Sequence, residues 1–186
     1  IDVARDLAAE TGAPLGVVTF EPHPRSFFQG SSVPFRLTPF RQKARVLAGL
    51  DLNLMVNLAF NPAMAGCLAQ DFVKGHLLDG LGISHLVTGP GFVFGKGRHG
   101  NGYILDQMAR MEGFGYTQAP FFEHHGQKVS STEIRVMLRR GLVDQAAGLL
   151  GHFWETEGHV QHGEKRGREM GFPTANLALD GLLHPG

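Results

Sequence analysis

Apolar and polar positions along the chain follow two periods in alternation. Val3, Leu7 and Ala8 fall on one face of a helix over 1–10. After the turn residues Gly12 and Pro14, the apolar run Leu15, Val17, Val18 and Phe20 reads as a strand. It ends at Glu21-Pro22-His23-Pro24, where two prolines force the chain out of regular pairing. Thr38 is expected to cap a helix with Pro39 at its first position, running through Leu47 to Leu50. Residues 52–60 read as a second buried strand, and 70–81 as a helix with Phe72, Val73, Leu77 and Leu78 inward. A third short strand over 85–88 runs into a glycine-rich loop. The segment 103–113 is helical, with Ile104, Met108 and Met111 on one face. A two-residue period over 116–129 predicts a hairpin turning at His125-Gly126. Two short helices, 130–140 and 142–150, are separated by Gly141.

Strands and helices alternating at short loop lengths argue for an α/β domain with a mostly parallel sheet and helices on both faces. Ligands of such sheets sit beyond the carboxyl ends of the strands. Two unusual segments fall there, 21–24 and 89–100. Beyond Gly151 the helical period disappears. Gly158, Gly163, Gly167 and Gly171 are interspersed with basic residues, as expected for a second domain beginning with strands. About 35 residues remain there, too few to bury an independent core. The first helix has no start signal, and apolar Leu177, Leu179, Leu182 and Leu183 lie just before Gly186, so a chain cut short at both ends is expected.

Composition narrows the function. Of 186 residues, 42% are hydrophobic and 18% charged, as in a folded globular protein. Lys and Arg number 17, as do Asp and Glu, so no bulk field draws the chain to nucleic acid or an anionic membrane. Any bound phosphate must be held by local groups. The single cysteine, Cys67, cannot form an intramolecular disulfide and is expected to pack as a small buried hydrophobe, which suits a reducing, cytoplasmic setting. No apolar run approaches the ~20 residues of a membrane span, and no secretion signal stands at the start.

Four segments carry candidate chemistry. Ser130-Ser131-Thr132-Glu133-Ile134-Arg135 has the spacing of a capping box, Ser130 with Glu133, which by itself merely starts a helix. Three hydroxyl residues at a helix start with Arg135 one turn in also make an anion site. In 89–100, glycines allow close backbone approach while Lys96 and Arg98 supply charge; a flexible surface loop is the plainer alternative, and Phe94 doubles as a candidate core anchor. It does not match the Walker phosphate loop. His23 lies between Pro22 and Pro24, stiffly held at a strand end, though a lone histidine is more often structural. In Gly171-Phe172-Pro173-Thr174-Ala175-Asn176, the oxygens of Thr174 and Asn176 would point the same way from an extended chain. They are hard ligands that suit Mg2+ on a nucleotide, against the alternative of a simple turn. No metal cluster, paired-carboxylate or nucleophile-elbow pattern is visible; the adjacent His124 and His125 would splay apart in a strand.

Taken together, TFEPHP at 19–24, FGKGRHG at 94–100, VSSTEIR at 129–135 and GREMGFPTANL at 167–177 resemble the bacterial bifunctional riboflavin kinase/FAD synthetase family in content, order and spacing. The resemblance implies a Rossmann-like FMN adenylyltransferase domain with a parallel sheet over 1–151 and the start of a riboflavin kinase β-barrel over 152–186. It implies two activities: riboflavin and ATP give FMN, and FMN and ATP give FAD and pyrophosphate, with Mg2+. By resemblance, Ser131, Thr132 and Arg135 hold the ATP phosphates, and the loop through Gly89, Gly91 and Phe92 lines the nucleotide site. Pro22, His23 and Pro24 serve the flavin side. Gly163, Gly167, Arg168, Gly171 and Thr174 belong to the kinase nucleotide site, with Thr174 and Asn176 on magnesium. Two departures stand out. The Gly-x-Phe-Asp-Gly-Val-His-x-Gly-His segment that opens the family's adenylylating domain is absent, and so are the kinase's later strands and catalytic carboxylate. This stretch alone is therefore expected to run neither reaction. Gly91 stands where many relatives carry Asp or Asn. Two alternatives differ in kind: a nucleotidyltransferase with another acceptor, disfavoured by the Pro-Thr-Ala-Asn segment, and a non-catalytic module that stores flavin or nucleotide.

Overall fold

β-Branched and aromatic residues dominate the first strand, β1 (Gly16–Glu21), which follows helix α1 (Asp2–Thr11) across a turn where Gly12 adopts a left-handed φ of 66°. The computed structural model describes residues 1–29, 34–161, 176–178, 182–183 and 186. The elements continue as α2 (Pro24–Gln29), α3 (Phe40–Ala48), β2 (Leu54–Ala59), α4 (Pro62–Gly66) and α5 (Ala69–Asp71). A π-helix, Phe72–Gly80, leads to β3 (His85–Thr88), and a 3-10 turn, Lys96–Arg98, precedes α6 (Gly102–Glu112). Then come β4 (Gly115–Gln118), β5 (Glu123–His124), β6 (Gln127–Lys128), α7 (Ser131–Arg139), α8 (Val143–Leu150), β7 (Val160–Gln161) and β8 (Asn176–Leu177).

The chain divides into two compact units, Ile1–Phe27 with Leu52–Glu123, and Phe28–Asp51 with His124–Gly186. In the first, β1 pairs with β2 in parallel, Gly16 opposite Leu54 through Glu21 opposite Ala59. β3 likewise pairs with β4, His85 opposite Gly115 through Thr88 opposite Gln118. The protein is thus α/β with parallel strand pairs, in small two-stranded sheets. Phe72, Val73, Leu77, Phe94, Leu105, Met108, Ala109 and Phe114 form the core of this unit, and Phe20, Leu58 and Tyr116 pack against it. α1 and the first halves of β1, β2 and β3 line a groove of about 210 Å³.

In the second unit, Leu37, Ile134, Leu138, Ala146 and Leu183 make a separate core, with Trp154 packed against it. Its hub is the stretch from Phe35 to Leu37, whose three successive carbonyls accept from three places. Phe35 takes Arg135 Nε–H at 2.7 Å, Arg36 takes the Leu183 amide at 2.9 Å, and Leu37 takes Trp154 Nε1–H at 2.9 Å. β7 and β8 pair antiparallel, Val160 opposite Leu177.

Several expectations shift. α3 starts at Phe40 with Pro39 as its N-cap, and no side chain caps it, so Thr38 is not the cap. β2 has no fully buried position: Met55, Val56 and Leu58 are half-buried and Leu54, Asn57 and Ala59 are exposed. The helix expected over 70–81 is chiefly π-helical, and a Cβ at Gly80 would stand 3.0 Å from the backbone carbonyl oxygen of residue 75. On α6 the inward residues are Leu105, Met108 and Ala109, whereas Met111 is 79% exposed. The predicted 116–129 hairpin shrinks to β5 and β6, because 115–118 is claimed by the parallel pairing with β3. Helix α2 begins within the proline segment and α4 at Pro62, both unforeseen. Cys67 is half-buried rather than buried.

Candidate functional site

The loop after β3 is built on a closed base. Phe94 and Gly100 exchange both backbone hydrogen bonds, at 3.0 and 2.9 Å, and the Lys96 amide donates to the Cys67 carbonyl at 2.7 Å. Phe94 is a buried core residue that touches Phe72, so it is the anchor of the loop. A Cβ at Gly95 would lie 2.7 Å from the Ala69 nitrogen. These contacts exclude a loosely solvated segment. Above this base Phe92, 36% exposed, stacks on Phe94 with ring centroids 5.4 Å apart and planes 15° from parallel. Gly89 and Phe92 close a turn through a 3.4 Å hydrogen bond, with Gly91 at φ 72°. The loop therefore presents glycine backbone beside an accessible aromatic face, with Lys96 and Arg98 on the turn below.

Pro22, His23 and Pro24 follow the carboxyl end of β1, with a cis bond between Glu21 and Pro22. His23 has a local structural role: its Nδ1 accepts from the Arg25 amide at 3.0 Å and its carbonyl from the Phe27 amide at 3.1 Å, which opens α2. The first unit thus places both predicted segments at strand carboxyl ends.

In the second unit, Ser130 is the N-cap of α7, and its Oγ accepts from the Glu133 amide at 3.2 Å. Among the described residues the return bond from Glu133 to Ser130 is not made, so this is a simple cap rather than the full box. Ser131 and Thr132 sit exposed on the first turn, where amides lack helical partners. Arg135, one turn on, is half-buried, with its guanidinium carbon 5.3 Å from the centre of the Phe35 ring. Sequence reasoning missed Phe35, which no local motif marks.

Gly163, Gly167, Arg168, Gly171 and Thr174 lie outside the described residues. Asn176 lies in β8 opposite Gln161 and is exposed. Among the described residues no group of three His, Cys, Asp or Glu could hold a metal ion. The His124 and His125 rings do not splay: the turn places their centroids 4.2 Å apart at 63°. Burial pushes the Cys67 thiol above its ordinary range, and the charge of Asp71 adds to this.

The parallel strand pairs of the first unit define an α/β protein. The family is fixed by comparison with known proteins. The FAD synthetase family model matches residues 1–133, and the chain belongs to that family. The riboflavin kinase model matches residues 150–186. A bifunctional riboflavin kinase/FMN adenylyltransferase of Pseudomonas fluorescens is 40% identical over 175 residues, covering 94% of this chain and 56% of the relative. Proteins of the same description from Escherichia coli K12 and Bacillus subtilis are 38% and 34% identical, matching 55% and 57% of their own lengths. The chain thus spans a little over half of these relatives. A crystal structure described as a macrolide-efflux protein from Streptococcus pneumoniae shares the fold at a TM-score of 0.77 and 27% identity, covering all of this chain and 60% of that one. Among the described residues here, no helix is long and apolar enough to cross a membrane.

Proposed function

We propose that this chain belongs to an enzyme of flavin nucleotide biosynthesis that phosphorylates riboflavin to FMN and adenylylates FMN to FAD. The observation that carries the reading is the first turn of α7, where exposed Ser131 and Thr132 precede Arg135 in the motif that resembles the family. In adenylylation, a phosphate oxygen of FMN attacks the α-phosphorus of ATP. The new P–O bond joins FMN to AMP, the bond to the β-phosphate breaks, and pyrophosphate leaves with its electrons. The protein's task is to position two anions and neutralise charge. On this reading Ser131, Thr132 and Arg135 hold the ATP phosphates, with the unpaired amides of the first turn adding a partial positive charge. Gly89 and Gly91 let the backbone approach the nucleotide, and the Phe92 face offers a stacking surface. Pro22, His23 and Pro24 border the flavin. The domain is of the Rossmann-like nucleotidyltransferase kind over 1–151, and a kinase barrel begins over 152–186.

In the kinase part, Gly163, Gly167, Arg168, Gly171 and Thr174 cradle the nucleotide. Thr174 and Asn176 supply oxygen ligands for Mg2+, which when bound neutralises phosphate charge. The substrates are small molecules: ATP, riboflavin and FMN. Zero net charge and a single cysteine support a cytoplasmic enzyme with no nucleic-acid or membrane partner. Two substitutions in the full-length protein separate the sites. Arg135→Ala lowers FAD synthesis and spares riboflavin phosphorylation, and Thr174→Ala does the reverse. Parallel loss of both activities in each variant, with folding intact, contradicts the assignment.

A further inference from the structure

Arg135 is held by a residue 100 positions earlier in the chain, and held twice: Nε–H donates to the Phe35 carbonyl, and the guanidinium lies over the Phe35 ring. Phe35 is itself immobilised. It is 3% exposed, and the next two carbonyls are tied to Leu183 and Trp154. Arg36 also bridges in parallel to Leu182. Arginine recognises phosphate as a planar fork, so its value depends on the plane and roll of the guanidinium. A free side chain explores many rotamers and loses that freedom on binding. Fixing Nε from one side and the π-face from another sets the plane in which the terminal nitrogens lie before any ligand arrives.

We infer that Phe35 is a positioning residue for Arg135, pre-orienting its guanidinium for a nucleotide phosphate. This rests on the reading of the α7 start as the ATP phosphate site. Phe35 touches no substrate; it acts through Arg135.

The test is a double-mutant cycle in the full-length protein, reading KM for ATP and kcat in FAD synthesis, with thermal melts alongside. Phe35→Met fills the space without a ring, and Phe35→Tyr keeps the ring. Phe35→Met is expected to raise KM for ATP about five-fold, the size of a moderate cation–π contact, with kcat changed less. Phe35→Tyr is expected to restore it. In an Arg135→Ala background, Phe35→Met should add nothing. Arg135→Lys keeps the charge but has no guanidinium fork; it should raise KM by itself. An equal effect of Phe35→Met with and without Arg135 overturns the positioning role, as does a wild-type KM in Phe35→Met while Arg135→Ala is impaired. A wild-type KM in Arg135→Ala instead overturns the phosphate-site reading beneath it.

Discussion

Gly100 and Phe94 exchange both of their backbone hydrogen bonds, and a Cβ at Gly100 would lie 2.7 Å from the Phe94 ring. This pair closes the segment 94–100, and Gly89, Gly91 and Phe92 lie on the stretch that leads into it. Gly100→Ala must push the ring out of a packed core or break the pairing. It should cost about 1–3 kcal/mol, the usual range for overpacking, measured by denaturant unfolding. A stability within about 0.5 kcal/mol of wild type would show that the loop base yields freely.

The hydroxyls at the start of α7 should separate by role. Ser130 caps the helix through its bond to the Glu133 amide, so Ser130→Ala should lower stability by about 1 kcal/mol. Thr132 is exposed, so Thr132→Ala should leave stability within about 0.5 kcal/mol and raise KM for ATP. Thermal melts with ATP titrations check both. A melting point that drops equally for the two variants would mean that Thr132 serves the helix and not a ligand.

Cys67 should be a slow thiol. Burial disfavours its thiolate and Asp71 adds repulsion, so the neutral form persists to higher pH than in a free cysteine. Alkylation by iodoacetamide at about pH 8, near the ordinary thiol pKa, should run slower than for a cysteine peptide, and Asp71→Asn should speed it up. A rate at or above the peptide's contradicts this.

The strands were legible because their residues state a period and a type. The third strand matches residue for residue, since His85-Leu86-Val87-Thr88 is bounded by Ser84 and Gly89. The α7 start was legible because a capping serine is a local signal. The π-helix was not: the apolar spacing of Phe72, Val73 and Leu77 fits a helix in general and does not distinguish the wider turn. Met111 was misplaced because helical spacing groups it with Met108, whereas packing selects Leu105 and Ala109. Phe35 escaped notice for the same reason. Nothing near it in sequence announces that its carbonyl and ring serve Arg135, since that partnership exists only once 34–37 lies against α7.

The proposed activity, joining FMN to AMP and making FMN from riboflavin, is open to direct measurement. The direct measurement is chromatographic analysis of the full-length protein incubated with ATP, Mg2+ and either flavin. FMN should give FAD with one pyrophosphate per FAD, and riboflavin should give FMN and then FAD. Binding of flavin or nucleotide with no new flavin product and no pyrophosphate would instead mark a storage module.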